Sequence, residues 1–96
     1  MGIRGAMHEL LQRVVRLHGL QIGHVVDVIL DAEGGEAVGL EIRCQDGQHR
    51  FLPMAAAAPV GEEVLIDSPF ALLDGDQLEF YRERGVTLRR RDESAA

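Results

Sequence analysis

The chain of 96 residues has no tryptophan, no lysine, a single cysteine and three prolines. With only Cys44, no intrachain disulfide can form. This sets aside the disulfide-stapled class of small domains and suits a reducing compartment. All ten basic residues are Arg, against sixteen acids, for a net charge of −6. Nucleic acid is held by many cationic contacts that release counterions, so specific nucleic-acid binding is not expected. The one basic cluster, Arg89-Arg90-Arg91, runs straight into Asp92 and Glu93 and reads as a solvated end. No apolar run approaches the ~18–20 residues needed to cross a bilayer, and none precedes His8 as a leader, so a cytoplasmic protein without membrane insertion is expected. Phe51, Phe70, Phe80 and Tyr81 are the only aromatic residues.

What is present is aliphatic. Hydrophobic residues make up 46% of the chain, enough for one core of Val, Ile, Leu and Ala and too little chain for two. After the glycine-bearing lead "MGIRGA", the stretch "MHELLQRVVRL" carries helical spacing at Leu10, Leu11 and Val14 and a strand-like "RVVRL". It is assigned a helical turn near Leu10 and a strand over 13–17, ending at the His18-Gly19 turn. From Leu20 to Leu30 the β-branched density rises, because Val and Ile already have restricted χ1 and suit a pleated backbone. The apolar positions there do not alternate cleanly. Gly23 offers a bulge or a close backbone approach that would shift their phase. Gly34 and Gly35 supply the next turn through positive φ. Val38, Leu40, Ile42 and Cys44 then alternate with Gly39, Glu41 and Arg43, the cleanest strand pattern of the chain.

Further on, Asp46-Gly47 is a hairpin turn and "QHRFLPM" a strand stopped at Pro53. "AAAAPVGEE" allows a single helical turn, and "EVLID" at 63–67 is a short strand. Asp76 and Glu79 form a capping-box-like pair opening a helix over 76–84, with Gly85 as its C-terminal stop. "VTL" at 86–88 can return as a final short strand. The expected organisation is a loose lead at 1–7, one domain at 8–89 that includes the helix 76–84, and a flexible tail at 90–96. The fold class is mainly β: a small antiparallel barrel with one short C-terminal α-helix, closed so that few sheet edges stay open.

"VVRLHGLQIGHVVDVILDAEGGEAVGLEIR" resembles the opening of the PRC-barrel family. The matching residues are Val15, Gly19, Ile22-Gly23, Val25, Asp27-Val28, Asp31, Gly35 and Val38, with "FLPM" and "VGEEVLID" similar to later segments, over roughly residues 8–70. The resemblance implies a small, highly curved barrel used as an adaptor. Such domains occur in the H subunit of photosynthetic reaction centres, in ribosome-maturation factors and in stand-alone proteins, some linked to archaeal cell division. No bilayer-spanning run and no room for an RNA-processing domain leave the stand-alone class as the expectation. Its function would be protein–protein interaction. The rival is an accessory role in ribosome or RNA maturation through a ribosomal protein, and less favoured is a small metal-dependent protein. Within the resemblance Gly19, Gly23, Asp27 and Gly35 are structural. Asp27 is expected to satisfy amides or an Arg near the bent strand, against the alternative of a partner contact.

Chemistry is hard to find. His8, His18, His24 and His49 lack the paired spacing of a zinc site, and Asp67, Asp74 and Asp76 lack that of a calcium loop. Cys44 lies on the buried phase of its strand as a small hydrophobe. Ser68 has no nucleophile-elbow setting, and the "AEGGE" glycines no following Lys-Ser/Thr. No catalytic residue, metal or cofactor is expected, so the protein is read as a non-enzyme. Phe70, Leu72, Leu73 and Phe80 cluster near the helix and are the candidate contact surface, with a homodimer as the expected state.

Overall fold

The computed structural model describes residues 7–95; residues 1–6 of the expected loose lead lie outside it. The β-branched run becomes the longest strand, and the chain is hung on it. The strands are β1 (Val14–Leu17), β2 (Leu20–Leu30), β3 (Ala37–Cys44), β4 (His49–Pro53), β5 (Ala58–Val60), β6 (Glu63–Ile66) and β7 (Val86–Thr87). Two helices, α1 (Gly75–Arg84) and α2 (Leu88–Ala95), follow β6 and β7. One curled sheet runs in the order β4-β3-β2-β1-β6-β5, and β7 pairs with the far end of β2.

The expected antiparallel sheet holds for every ladder but one. β1 and β6 run parallel, Val15 opposite Val64. A parallel neighbour needs a long connection, and strands β2 to β5 supply it. No ladder joins β4 to β5 among the described residues, so the barrel is a half-barrel with two edges rather than a closed one. Pro59, lacking an N–H donor, sits in the middle of edge strand β5.

The broken alternation of β2 has a register cause. Ile22 is unpaired against β1 and Val26 against β3, and Val38 is the extra residue on β3. Each bulge shifts the phase of the side chains beyond it and bends the strand over the core. Gly23 allows a close crossing of β2 and β3, since a Cβ there would lie 2.4 Å from the Arg43 carbonyl oxygen. The inner face carries Val15, Val25, Val28, Leu30, Leu40, Ile42, Leu52 and Val64, all fully buried, with Met7 and Leu10 packed from the N-terminal helical turn. The outer face around Ile29 and Phe51 is covered by Leu78 of α1.

Several local expectations are corrected. Helix α1 begins a residue earlier than Asp76, and its cap is Asp74, whose carboxylate accepts the Gln77 amide at 3.2 Å. Gly85 is not left-handed. It is required because a Cβ would sit 2.1 Å from the Leu30 carbonyl oxygen. At the β2–β3 turn only Gly34 takes positive φ, while Gly35 donates its amide to Asp31. "MAAAAPV" forms a 3-10 turn, Met54–Ala56, and then β5. The expected strand over 86–88 stops at Thr87, and Leu88, fully buried in the core, opens the helix α2 that continues to Ala95.

Candidate interaction surface

Two regions hold the polar and apolar features that a function could use. The first is the outer face of β2 and β3, where the register puts Asp27 directly opposite Glu41. Both carboxylates are buried, 7% and 6% exposed, which demands partners. Asp27 Oδ1 accepts the Val28 amide at 2.8 Å and the Arg89 amide at 3.1 Å. Thr87 Oγ1 accepts the Arg90 amide at 3.2 Å, so the N-terminus of α2 is capped twice. The Arg89 Nε–H donates to the carbonyl of Val26, the residue at the bulge. Burial pushes the Asp27 carboxyl above its ordinary range, against the pull of the Arg89 and Val28 amides. Glu41 lies 2.5 Å from His49 Nδ1, and Arg82 Nη1 on α1 lies 3.9 Å from its other oxygen. Both carboxylates thus tie helices to the sheet.

The second region is the mouth of the half-barrel, where the β1–β2 and β3–β4 turns meet the segment after β6. A groove of about 580 Å³ opens there, floored by Leu17, Leu20, Ile22, Cys44, Pro69 and Leu72. Its rim charges are Asp46 and Arg50, which pair in a bidentate fork at 3.2 and 3.1 Å. That pairing holds the Asp46 carboxyl below its ordinary range and keeps the Arg50 guanidinium charged. Leu20 is 70% exposed at the groove, and Phe70, between lining residues Pro69 and Leu72, is 88% exposed.

The four residues expected as a contact cluster divide between these regions. Leu72 lines the groove and Phe70 stands beside it. Leu73 turns away: it bridges to Phe51 and packs with Ile29 and Leu78. Phe80 is on α1, edge-on to Tyr81, with the Arg84 guanidinium 3.8 Å over its ring. Of the structural residues, Gly19 takes φ +85° in the β1–β2 turn. Among the described residues no group of three His, Cys, Asp or Glu is placed to hold a metal ion. Leu17, Leu20 and Ile22 were missed as groove residues, since in sequence they read as strand interior. The only signal was a Leu directly after a turn glycine. Glu41, His49 and Arg82 carried no signal, because their meeting depends on the docking of α1.

The architecture defines the class: a small curled β half-barrel whose outer face is covered by helices, with no helix among the described residues long and apolar enough to cross a membrane. The family model for the PRC-barrel domain matches residues 12–73. The chain belongs to the PRC-barrel family, whose domains are known as protein-interaction modules and are generally non-catalytic. Comparison with curated proteins finds no match.

Proposed function

We propose that this chain is a non-enzymatic interaction module that receives a bulky apolar side chain of a partner protein in the groove at the barrel mouth. One observation carries the reading: two large apolar residues, Leu20 and Phe70, are held in solvent beside an apolar groove of about 580 Å³. Apolar area exposed in one patch gains on being covered, by ~25 cal/mol per Å². The groove's charges cancel within the Asp46–Arg50 pair, so no charged substrate is called for. The buried free thiol of Cys44 suits a reducing, cytoplasmic setting.

The test compares affinity purifications of the wild type with Leu20→Glu and with Val60→Glu, the latter on the exposed edge strand β5. Partners should be lost with Leu20→Glu and kept with Val60→Glu. The opposite pattern would move the contact to the sheet edge and refute the groove.

A further inference from the structure

We infer that the outer face of the sheet carries an anion-binding strip, formed by Arg43 of β3 and Arg82 of α1, that takes an extended acidic segment of a partner protein. Neither residue lines the groove, so the strip stands apart from the contact proposed there.

The first observation is a row of side chains without an acid. The registers place His24 of β2 opposite Arg43, and Arg43 opposite His49 of β4. Paired residues project to one face, and Ile42 beside Arg43 is fully buried, so the row stands on the outer face. Arg43 and His49 are exposed and His24 is half-buried. Among the described residues no ion pair or hydrogen bond engages the Arg43 side chain. Elsewhere Glu63 holds Arg16, Asp46 holds Arg50, and backbone carbonyls hold Arg89 and Arg91. An exposed guanidinium left over in a chain of net charge −6 marks a place where a carboxylate can be received.

The second observation is that Arg82 is under-satisfied. Its Nε–H is buried with no hydrogen-bond partner. Its Nη1 lies 3.7 Å from Glu79 and 3.9 Å from Glu41, beyond hydrogen-bond reach. Buried donors are ordinarily paired, so this one calls for an acceptor. Glu41 has little more to give, being buried and engaged through its other oxygen by His49 Nδ1 at 2.5 Å. Glu79 is 62% exposed and makes a pair of the kind worth little. The Arg82 side chain is itself 34% exposed, so the guanidinium can be reached from solvent.

Spacing and charge choose the occupant. Arg43 and Glu41 are alternate residues of β3, about 7 Å apart along an extended strand, and Arg82 reaches Glu41 from α1. Acids at alternate positions of an extended segment repeat at the same interval, so one segment can offer a carboxylate to each guanidinium. Nucleic acid needs many cations, and the net charge of −6 opposes it. A few carboxylates on a peptide meet only the local charges, and complementarity of that kind guides a partner to its face.

The probe is a fluorescein-labelled octapeptide of alternating Glu and Ser. It is titrated with the full chain by anisotropy at about 20 mM salt, where surface charges are little screened. Saturable binding is expected, with the Gln-Ser counterpart unbound. Arg43→Gln and Arg82→Gln should each weaken binding about 5-fold, the loss of one exposed ion pair. Arg90→Gln removes the same charge from an exposed residue of α2 and should change binding less than about twofold. If Arg82→Gln alters the far-ultraviolet spectrum, Arg43→Gln decides alone, since the Arg43 side chain bonds to nothing in the described fold. Absence of binding overturns the inference, as does equal weakening by Arg43→Gln and Arg90→Gln. Displacement of the peptide by micromolar inorganic phosphate, or tighter binding of a labelled decauridylate, would make the strip a site for small anions or nucleic acid and overturn it as well.

Discussion

Asp27 shows how much one carboxylate can organise. Strand β2 bulges at Val26, whose carbonyl accepts from Arg89, and Asp27 lies beside the start of α2. The same residue stabilises the helix and suffers from its own burial. Its carboxyl is shifted upward by desolvation, so between the ordinary carboxylate range and the raised value the folded chain holds a proton that the unfolded chain has released. In that window more protons are bound to the native state, and stability falls as pH rises. Asp31 and Asp46 act in the opposite sense. Hydrogen bonds lower both, and their contribution is lost as pH falls through their folded values. Comparing wild type with Asp27→Asn isolates the first effect: in urea denaturation from pH 4 upward, the stability of the wild type relative to the variant should decline with rising pH. A difference that grows with pH would show that Asp27 is held below its ordinary range. Asp27→Ala should cost about 1 kcal/mol at the acid end of this range through loss of the cap, and less as pH rises.

Among the elements, α1 is the one whose docking is most concentrated. Its exposed face is polar apart from Phe80, and only Leu78 is buried, against Ile29 and Phe51. Phe51 stacks on Tyr81 of the same helix, ring centroids 4.3 Å apart. Gly39 makes this possible, since a Cβ there would lie 2.2 Å from the Phe51 ring. A ten-residue helix is marginal alone, so these contacts hold it rather than its intrinsic propensity. Leu78→Ala should therefore cost about 2–4 kcal/mol in chemical denaturation and expose the α1 amides to hydrogen exchange before those of β2 and β3. A cost under about 0.5 kcal/mol would mean that the outer cluster does not hold the helix.

At the scale of the whole molecule, the charge is distributed against polyanions. The arginine cluster is not a free basic surface: Arg89 is donated to the Val26 carbonyl and Arg91 to the Gly34 carbonyl at 2.7 Å. With these side chains engaged and a net charge of −6, any binding to duplex DNA or RNA should be weak and disappear between about 50 and 200 mM salt in an anisotropy titration. A complex that persists across that range would contradict this. The half-barrel leaves β4 and β5 as edges. β4 is partly covered by the Phe51–Leu73 bridge, and β5 is kept from pairing onward by Pro59 and its three-residue length.

What the chain determined locally was set by residues that act on their neighbours. The β-branched run made β2, and the alternation from Val38 to Cys44 made β3. Positive φ fell at glycines 19, 34 and 47, and the family pattern over residues 12–73 followed that path. Contacts between distant segments were decided elsewhere. The parallel pairing of β1 with β6, the helix begun at Leu88, and the meeting of Glu41, His49 and Arg82 all join residues far apart in sequence. Neither propensity nor spacing carries that information. The stretch "LRRRDESA" carries no apolar periodicity that marks a helix; Asp27 and Thr87 accept the Arg89 and Arg90 amides, and the core receives Leu88. The groove belongs to the same kind: Leu17, Leu20, Ile22 and Leu72 are ordinary strand and loop residues, made a surface only because the sheet curls and stops short of closing.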